Sequence, residues 1–152
     1  MADYIESGTF PQELVKEMAK LGINGADIPK EDGGLGLSNL DTGYLMYELA
    51  RIDASVGTFF LLHCSAGIRC IYLNADPALK KKLLADTIPI KKVLANAITE
   101  PNSGSDVTSI QTTARKVEGG YRITGRKIWT GNGTFADYIL VFARNMADKG
   151  SP

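Results

Sequence analysis

Thr99-Glu100-Pro101-Asn102-Ser103-Gly104-Ser105-Asp106 is the stretch on which the reading of this chain turns. Before it lies an apolar run, Val93-Leu94-Ala95-Asn96-Ala97-Ile98, that reads as a buried strand. The chain then bends through Pro, Asn, Ser and Gly, and a strand-like pattern resumes at Ile110. Hydroxyls and backbone N–H groups gathered where a strand ends make a site for something polar, flat or phosphorylated. Further on, Lys127-Ile128-Trp129-Thr130-Gly131-Asn132-Gly133 sets the only tryptophan of the chain beside a second glycine-rich turn. One segment offers small hydrogen-bonding groups and the other a broad aromatic face. Together they predict a cradle for a ring cofactor with a phosphate tail.

Upstream of the bend the pattern is helical. Leu14, Val15, Met18 and Leu21 share one face of a helix over Pro11 to Leu21, with Thr9 as its cap and Gly22 as its stop. Ile23 to Leu37, with its glycines and proline, reads as a loop. Ser38 or Asn39 caps a second helix that ends near Asp53, and Ser55 opens a third, Val56 to Leu73, apolar nearly all round and so central in a bundle. Asp76-Pro77 is a cap followed by an N1 proline, opening a fourth helix that carries the solvated run Lys80-Lys81-Lys82. From Val93 onward β-branched and aromatic residues alternate with polar ones in Thr112 to Val117, Tyr121 to Thr124 and Tyr138 to Ala143, and Gly119-Gly120 is a hairpin turn. The chain is therefore α+β, a helical domain at 1–90 and the start of a β-domain at 91–152. Met146 to Pro152 reads as a loop leading to a further strand, so the β-domain is expected to be truncated.

Bulk properties narrow the function. The 17 basic and 17 acidic residues cancel, which leaves no field for nucleic acid or an anionic membrane. No apolar stretch reads as long enough to span a bilayer, and the acidic start Met1 to Glu6 has no signal-peptide pattern. Cys64 and Cys70 fall on different helix faces with no CxxC pair or His cluster, so they read as free thiols rather than a disulfide or zinc site. Gly33-Gly34-Leu35-Gly36 lacks the strand and the Lys-Ser/Thr of a phosphate loop and reads as a connection between helices.

The ordered blocks Thr99 to Asp106, Lys127 to Asn132 and Ala136-Asp137 resemble the signature of the acyl-CoA dehydrogenase and acyl-CoA oxidase family, TEP-x-x-GSD, K-x-W-I-T-N, A-D. The resemblance extends upstream through Leu21 to Gly25, Gly33 to Ser38 and Glu48 to Ser55, and covers nearly all of Phe10 to Asn145. It implies an N-terminal helical bundle followed by the first strands of an antiparallel, barrel-like β-domain, with a C-terminal helical domain beyond. It implies FAD as cofactor and desaturation of an acyl-CoA between its α and β carbons. In that chemistry a carboxylate takes the α-proton and the β-hydrogen leaves as hydride to the flavin. It also implies an electron-transfer flavoprotein or oxygen as acceptor, and assembly as a dimer or tetramer.

By the same resemblance Trp129 packs on the flavin ring, while Thr99, aided by backbone groups at Asn96 and Ile98, bonds its pyrimidine edge. Thr130 and Gly131 count among the cofactor-binding residues, position 131 lying near flavin N5, and Gly104 and Ser105 approach the phosphate side, with Ser105 also touching substrate. Glu100 and Asp106 are structural there, and the catalytic glutamate belongs to the C-terminal domain, beyond Pro152. Gly131 departs from the threonine of most dehydrogenases. With Asn132 to Asp137, Lys116 to Gly120 and Phe142 to Asn145, it looks like a short-chain acyl-CoA oxidase branch, whereas Asn102-Ser103 resembles glutaryl-CoA dehydrogenase. The rival reading is a non-catalytic structural or interaction member of the family. His63 and Ser65 lie where the acyl pocket of the family begins, although a histidine among apolar residues is usually a packing residue. Mitochondrial matrix, peroxisome and bacterial cytoplasm all stay open.

Overall fold

A computed structural model describes residues 2–146. It divides into two compact units, Met1–Leu94 and Ala95–Pro152. The first is helical: α1 (Ala2–Ser7), α2 (Gln12–Leu21), α3 (Asn39–Ile52), α4 (Ala54–Phe60), α5 (Arg69–Asn74) and α6 (Pro77–Thr87). A 3₁₀ turn occupies Lys30–Asp32, and a π-helical stretch, Leu61–Ile68, joins α4 to α5. Of these the sequence pattern misses α1, which is too short to show a period.

The helix ends follow their capping chemistry with two corrections. Ser38 caps α3 in a capping box, its hydroxyl accepting the Asp41 N–H (3.2 Å). Asp76 accepts the N–H groups of Ala78 and Leu79 ahead of α6, with Pro77 in the first turn. Gly22 closes α2 at φ 67°, a left-handed turn that glycine enters without strain. Thr9 does not cap α2, because Pro11 holds that position and the Thr9 hydroxyl pairs with Ser7 (2.7 Å). Asp53, not Ser55, caps α4, since its carboxylate accepts two N–H groups, those of Ser55 (2.8 Å) and Val56 (3.3 Å).

The core of this unit runs along Ala54–Asn74, a continuous helix of 21 residues. Its length and composition would suit a membrane crossing, contrary to the sequence expectation, but Phe59, Phe60, His63, Cys64, Ile68 and Ile71 are buried along it. It is the central helix that the all-round apolar pattern predicts. Gly57 lets α4 approach α3 closely: a Cβ there would lie 2.6 Å from the Ala50 Cβ. His63 is wholly buried and stacks on Phe59 (centroids 5.6 Å). Its Nδ1 accepts the Leu94 N–H (3.1 Å), so Nε2 carries the proton and donates to the Thr87 carbonyl (2.9 Å). Burial lowers its pKa, with the Thr87 bond opposing. Both ring nitrogens are committed, so His63 is a packing residue rather than a ligand. Val15 and Met18 of α2 are buried, but Leu21 on the same predicted face is 62% exposed, because it is the last residue before the Gly22 turn. The Cys64 thiol is buried and Cys70 half-buried, both free.

The strands are β1 (Leu94–Ala97), β2 (Thr113–Val117), β3 (Gly120–Thr124), β4 (Tyr138–Val141) and β5 (Arg144–Asn145). All four residues of β1 are buried. β2 and β3 form the predicted hairpin, registered from Thr113 opposite Thr124 to Val117 opposite Gly120, with Gly119 at φ 79° in the turn. The sheets are small, β1 with β4 and β3-β2-β5, and no closed barrel forms among the described residues. The last predicted strand breaks after Val141. Arg144 then bonds the Thr112 carbonyl through its N–H (2.8 Å), which sets β5 parallel to β2 where an antiparallel pattern was expected. The predicted terminal loop lies outside the described residues except at Met146.

Candidate functional site

The second unit gathers most of the predicted residues around one clamp. The bend leaves β1 and tightens at Glu100, whose N–H donates to the Ser103 carbonyl (2.8 Å) while the Ser103 N–H returns to Glu100 (3.2 Å). Pro101 and Asn102 form the exposed corner. The Ser103 hydroxyl donates to the Asp106 carbonyl (2.8 Å), and the Asp106 carboxylate accepts the N–H of Thr108 (3.1 Å) together with its hydroxyl. These contacts, the Thr108 hydroxyl first, lower the Asp106 pKa.

Glu100 is only 6% exposed and accepts three donors: the N–H of Gln111 (2.6 Å), the N–H of Thr112 (2.9 Å) and the Lys127 ammonium (2.8 Å). Lys127 is the largest cause of a pKa held at about 2; the N–H groups of Gln111 and Thr112 add to it, and burial opposes them. The same ammonium donates to the Ile98 carbonyl (2.8 Å). One residue on, the Ile128 N–H donates to the Thr99 carbonyl (2.9 Å). The two glycine-rich segments are thus laced side by side at residues 98–100 and 127–128.

Trp129 follows directly. Residues 125–130 lie in no strand. The Trp129 backbone is left-handed (φ 56°) and its side chain is 87% exposed. A non-glycine residue is rarely held so, and strain of this kind collects at functional sites. Thr130 and Gly131 are half-buried in the following turn, where the Thr130 carbonyl accepts the Gly133 N–H (3.0 Å). Thr99 is half-buried at the clamp; Gly104 and Ser105 are exposed on the outer limb of the bend. Asn96 is buried on β1, 9% exposed. Sequence reasoning named Glu100 as structural and Lys127 as motif, but did not pair them. The signal was there: one acid and one base, each flanking a predicted site segment.

Comparison with known proteins now bears on this geometry. The N-terminal domain pattern of acyl-CoA dehydrogenases matches residues 1–89, and the middle-domain pattern matches residues 95–151. The chain belongs to the acyl-CoA dehydrogenase family. Mitochondrial isovaleryl-CoA dehydrogenase of Oryza sativa subsp. japonica is 38% identical over 147 residues, 95% of this chain and 36% of that protein. The FAD complex of PigA superposes with a TM-score of 0.87 at 31% identity, covering 97% of this chain and 39% of that one. Glutaryl-CoA dehydrogenase of Mycobacterium smegmatis in complex with FADH2 gives 0.88 at 28% identity, over 95% and 37%. The chain thus spans little more than a third of the length of these family members. Relatives and structural neighbours in the family include acyl-CoA dehydrogenases and FAD complexes.

Proposed function

We propose that this chain holds the flavin of an FAD-dependent acyl-CoA dehydrogenase, with its helical domain at 1–90 and the first strands of a barrel-like β-domain at 91–152. The exposed Trp129 plane, one residue beyond the Thr99–Ile128 bond, is the observation that carries this reading. A large apolar face left in solvent beside free hydroxyls fits a flat ring with polar edges. The groups present suit FAD. Trp129 stacks on the ring; Thr99, backbone groups at Asn96 and Ile98, and the Thr130-Gly131 turn meet its polar edge. Gly104, where an added Cβ would meet nothing within 4 Å, leaves room for the phosphate side, with Ser105 donating to phosphate or substrate.

When bound, FAD supplies the two-electron acceptor for α,β-desaturation of an acyl-CoA. The chain binds and orients; it offers no base at the bend, because Glu100 and Asp106 are both spent as hydrogen-bond acceptors. The 152-residue chain alone is expected not to desaturate acyl-CoA, and turnover by the purified chain would refute that. The complete protein is a homo-oligomer that passes its electrons to an electron-transfer flavoprotein. Titrating this chain with FAD tests the central claim: saturable quenching of the single tryptophan is expected, and its absence refutes the assignment. The whole protein should purify yellow and bleach on anaerobic addition of acyl-CoA. Once air is admitted it should stay bleached; rapid recovery of colour there marks an oxidase instead.

A further inference from the structure

We propose that the buried Lys127–Glu100 pair is a positioning device, which registers the bend at 98–100 against residues 127–129 and so fixes where the Trp129 plane stands. The proposal rests on the reading that Trp129 faces the flavin. The Lys127 and Glu100 side chains are 10% and 6% exposed. Burying such a pair is expensive, and apolar residues of similar volume often stabilise a fold as well or better. Stability alone thus gives little reason to keep it; a pair of charges adds direction.

The contacts alternate along the two segments. Lys127 reaches two acceptors on one limb, the Ile98 carbonyl and the Glu100 carboxylate, both at 2.8 Å. Between those acceptors the Thr99 carbonyl takes the Ile128 N–H at 2.9 Å. Glu100 is itself fixed by the N–H groups of Gln111 and Thr112. An ammonium docked on acceptors two residues apart fits a single register, and sliding either segment by one residue breaks every contact. Trp129 then departs at φ 56° with its indole 87% exposed. Packing does not hold that ring, so its place is set by the backbone, and the backbone by the pair. Lys127 and Glu100 are positioning residues in this account: they act on the flavin only through residues 98, 99 and 129.

The test uses amide exchange by NMR and FAD titration on this chain and on Lys127→Met, Lys127→Arg and Glu100→Gln. In Lys127→Met the Ile128 amide should exchange about ten-fold faster or more, with β2–β3 hairpin amides unchanged. FAD affinity should fall about ten-fold, and Lys127→Arg should recover most of both effects. In a Trp129→Ala background Lys127→Met should cost clearly less than the roughly ten-fold it costs alone, since part of its effect runs through Trp129; a full ten-fold cost there overturns the proposal. Unchanged Ile128 exchange in both Lys127→Met and Glu100→Gln overturns the proposal. Loss of hairpin protection together with that of Ile128 overturns it too, because the pair is then a general stabiliser. Absence of any FAD binding by the wild-type chain removes the flavin reading, whereas the Ile128 exchange still decides the positioning role.

Discussion

Replacing Trp129 separates a core residue from a binding residue, and the two roles predict different energies. A buried tryptophan truncated to alanine costs about 3–5 kcal/mol. Trp129 is 87% exposed, so about an eighth of its surface is covered. For a side chain of roughly 250 Å² that is about 30 Å², which at about 25 cal/mol per Å² is under 1 kcal/mol. Trp129→Ala should therefore lower stability by no more than about 1 kcal/mol. The backbone adds a second, independent expectation. At φ 56° a residue with a Cβ carries strain of about 1–2 kcal/mol that glycine does not. Glycine loses about 0.5–1 kcal/mol more chain entropy on folding, so Trp129→Gly should be more stable than Trp129→Ala by roughly 0.5–1 kcal/mol. Urea denaturation followed by circular dichroism measures both differences. Calorimetric titration with FAD should show affinity lost in both variants. A Trp129→Ala cost of 3 kcal/mol or more would show an indole packed into protein, and the argument for a flavin-facing plane would fail with it.

The remaining expectations concern stability. Glu100 has its pKa depressed to about 2, so its contribution is complete above about pH 4.3, the usual glutamate value, and is lost as pH falls through about 2. Urea midpoints across that range should fall in the wild type, and Glu100→Gln should flatten the profile; an unaltered slope refutes the Lys127 clamp. His63 is held neutral, its pKa pushed below the ordinary value of about 6.5, so its contribution is complete above that pH and declines as pH drops below it. His63→Phe keeps the stack on Phe59 but removes two hydrogen bonds. Denaturation should show a loss of about 1–3 kcal/mol at neutral pH and a weaker acid slope. Gly57→Ala inserts a Cβ 2.6 Å from that of Ala50, and overpacking of about 1–3 kcal/mol outweighs the helix propensity gained. A raised melting temperature for that variant would show that α3 and α4 part without cost.

Local chemistry was legible in the sequence, and pairing between distant segments was not. Gly22, Ser38, Asp76 and Gly119 announce their helix ends and hairpin because each acts on groups within a few residues. Asp53 was passed over for Ser55, though an aspartate there can take two N–H groups at once. Leu21 shows the limit of periodicity, which assigns a face but not where that face runs off the edge of the unit. The strand break after Val141 and the parallel β5 depend on Arg144 finding the Thr112 carbonyl, a contact that no window along the chain can display. Trp129 stands out in the sequence as the single indole beside a glycine-rich turn, but nothing along the chain displays its left-handed backbone. Its left-handed backbone comes from the clamp upstream and the Thr130–Gly133 turn downstream, and the clamp is a pairing across 27 residues of chain.

That clamp also decides what the bend can do. Two carboxylates sit in a segment rich in hydroxyls and amides, and by residue type either could serve as a general base. A general base needs a pKa near the working pH and a lone pair free to receive the proton. Glu100 fails the first condition, since it is held at about 2, and three donors already crowd its oxygens. Asp106 is likewise lowered, by the hydroxyl and N–H of Thr108. Both acids spend their charge on fixing backbone, one tying 98–100 to 127–128 and the other closing the turn at 106–109. The free polar groups left facing outward, at Gly104 and Ser105, are donors rather than bases. A surface that presents donors and an aromatic plane, with Glu100 buried in its clamp and the Asp106 carboxylate engaged by Thr108, is suited to hold an electron-poor ring with an anionic tail, and unsuited to abstract a proton. On the proposed reading the bend serves binding and orientation, and its acids contribute to the chemistry only by making that surface rigid.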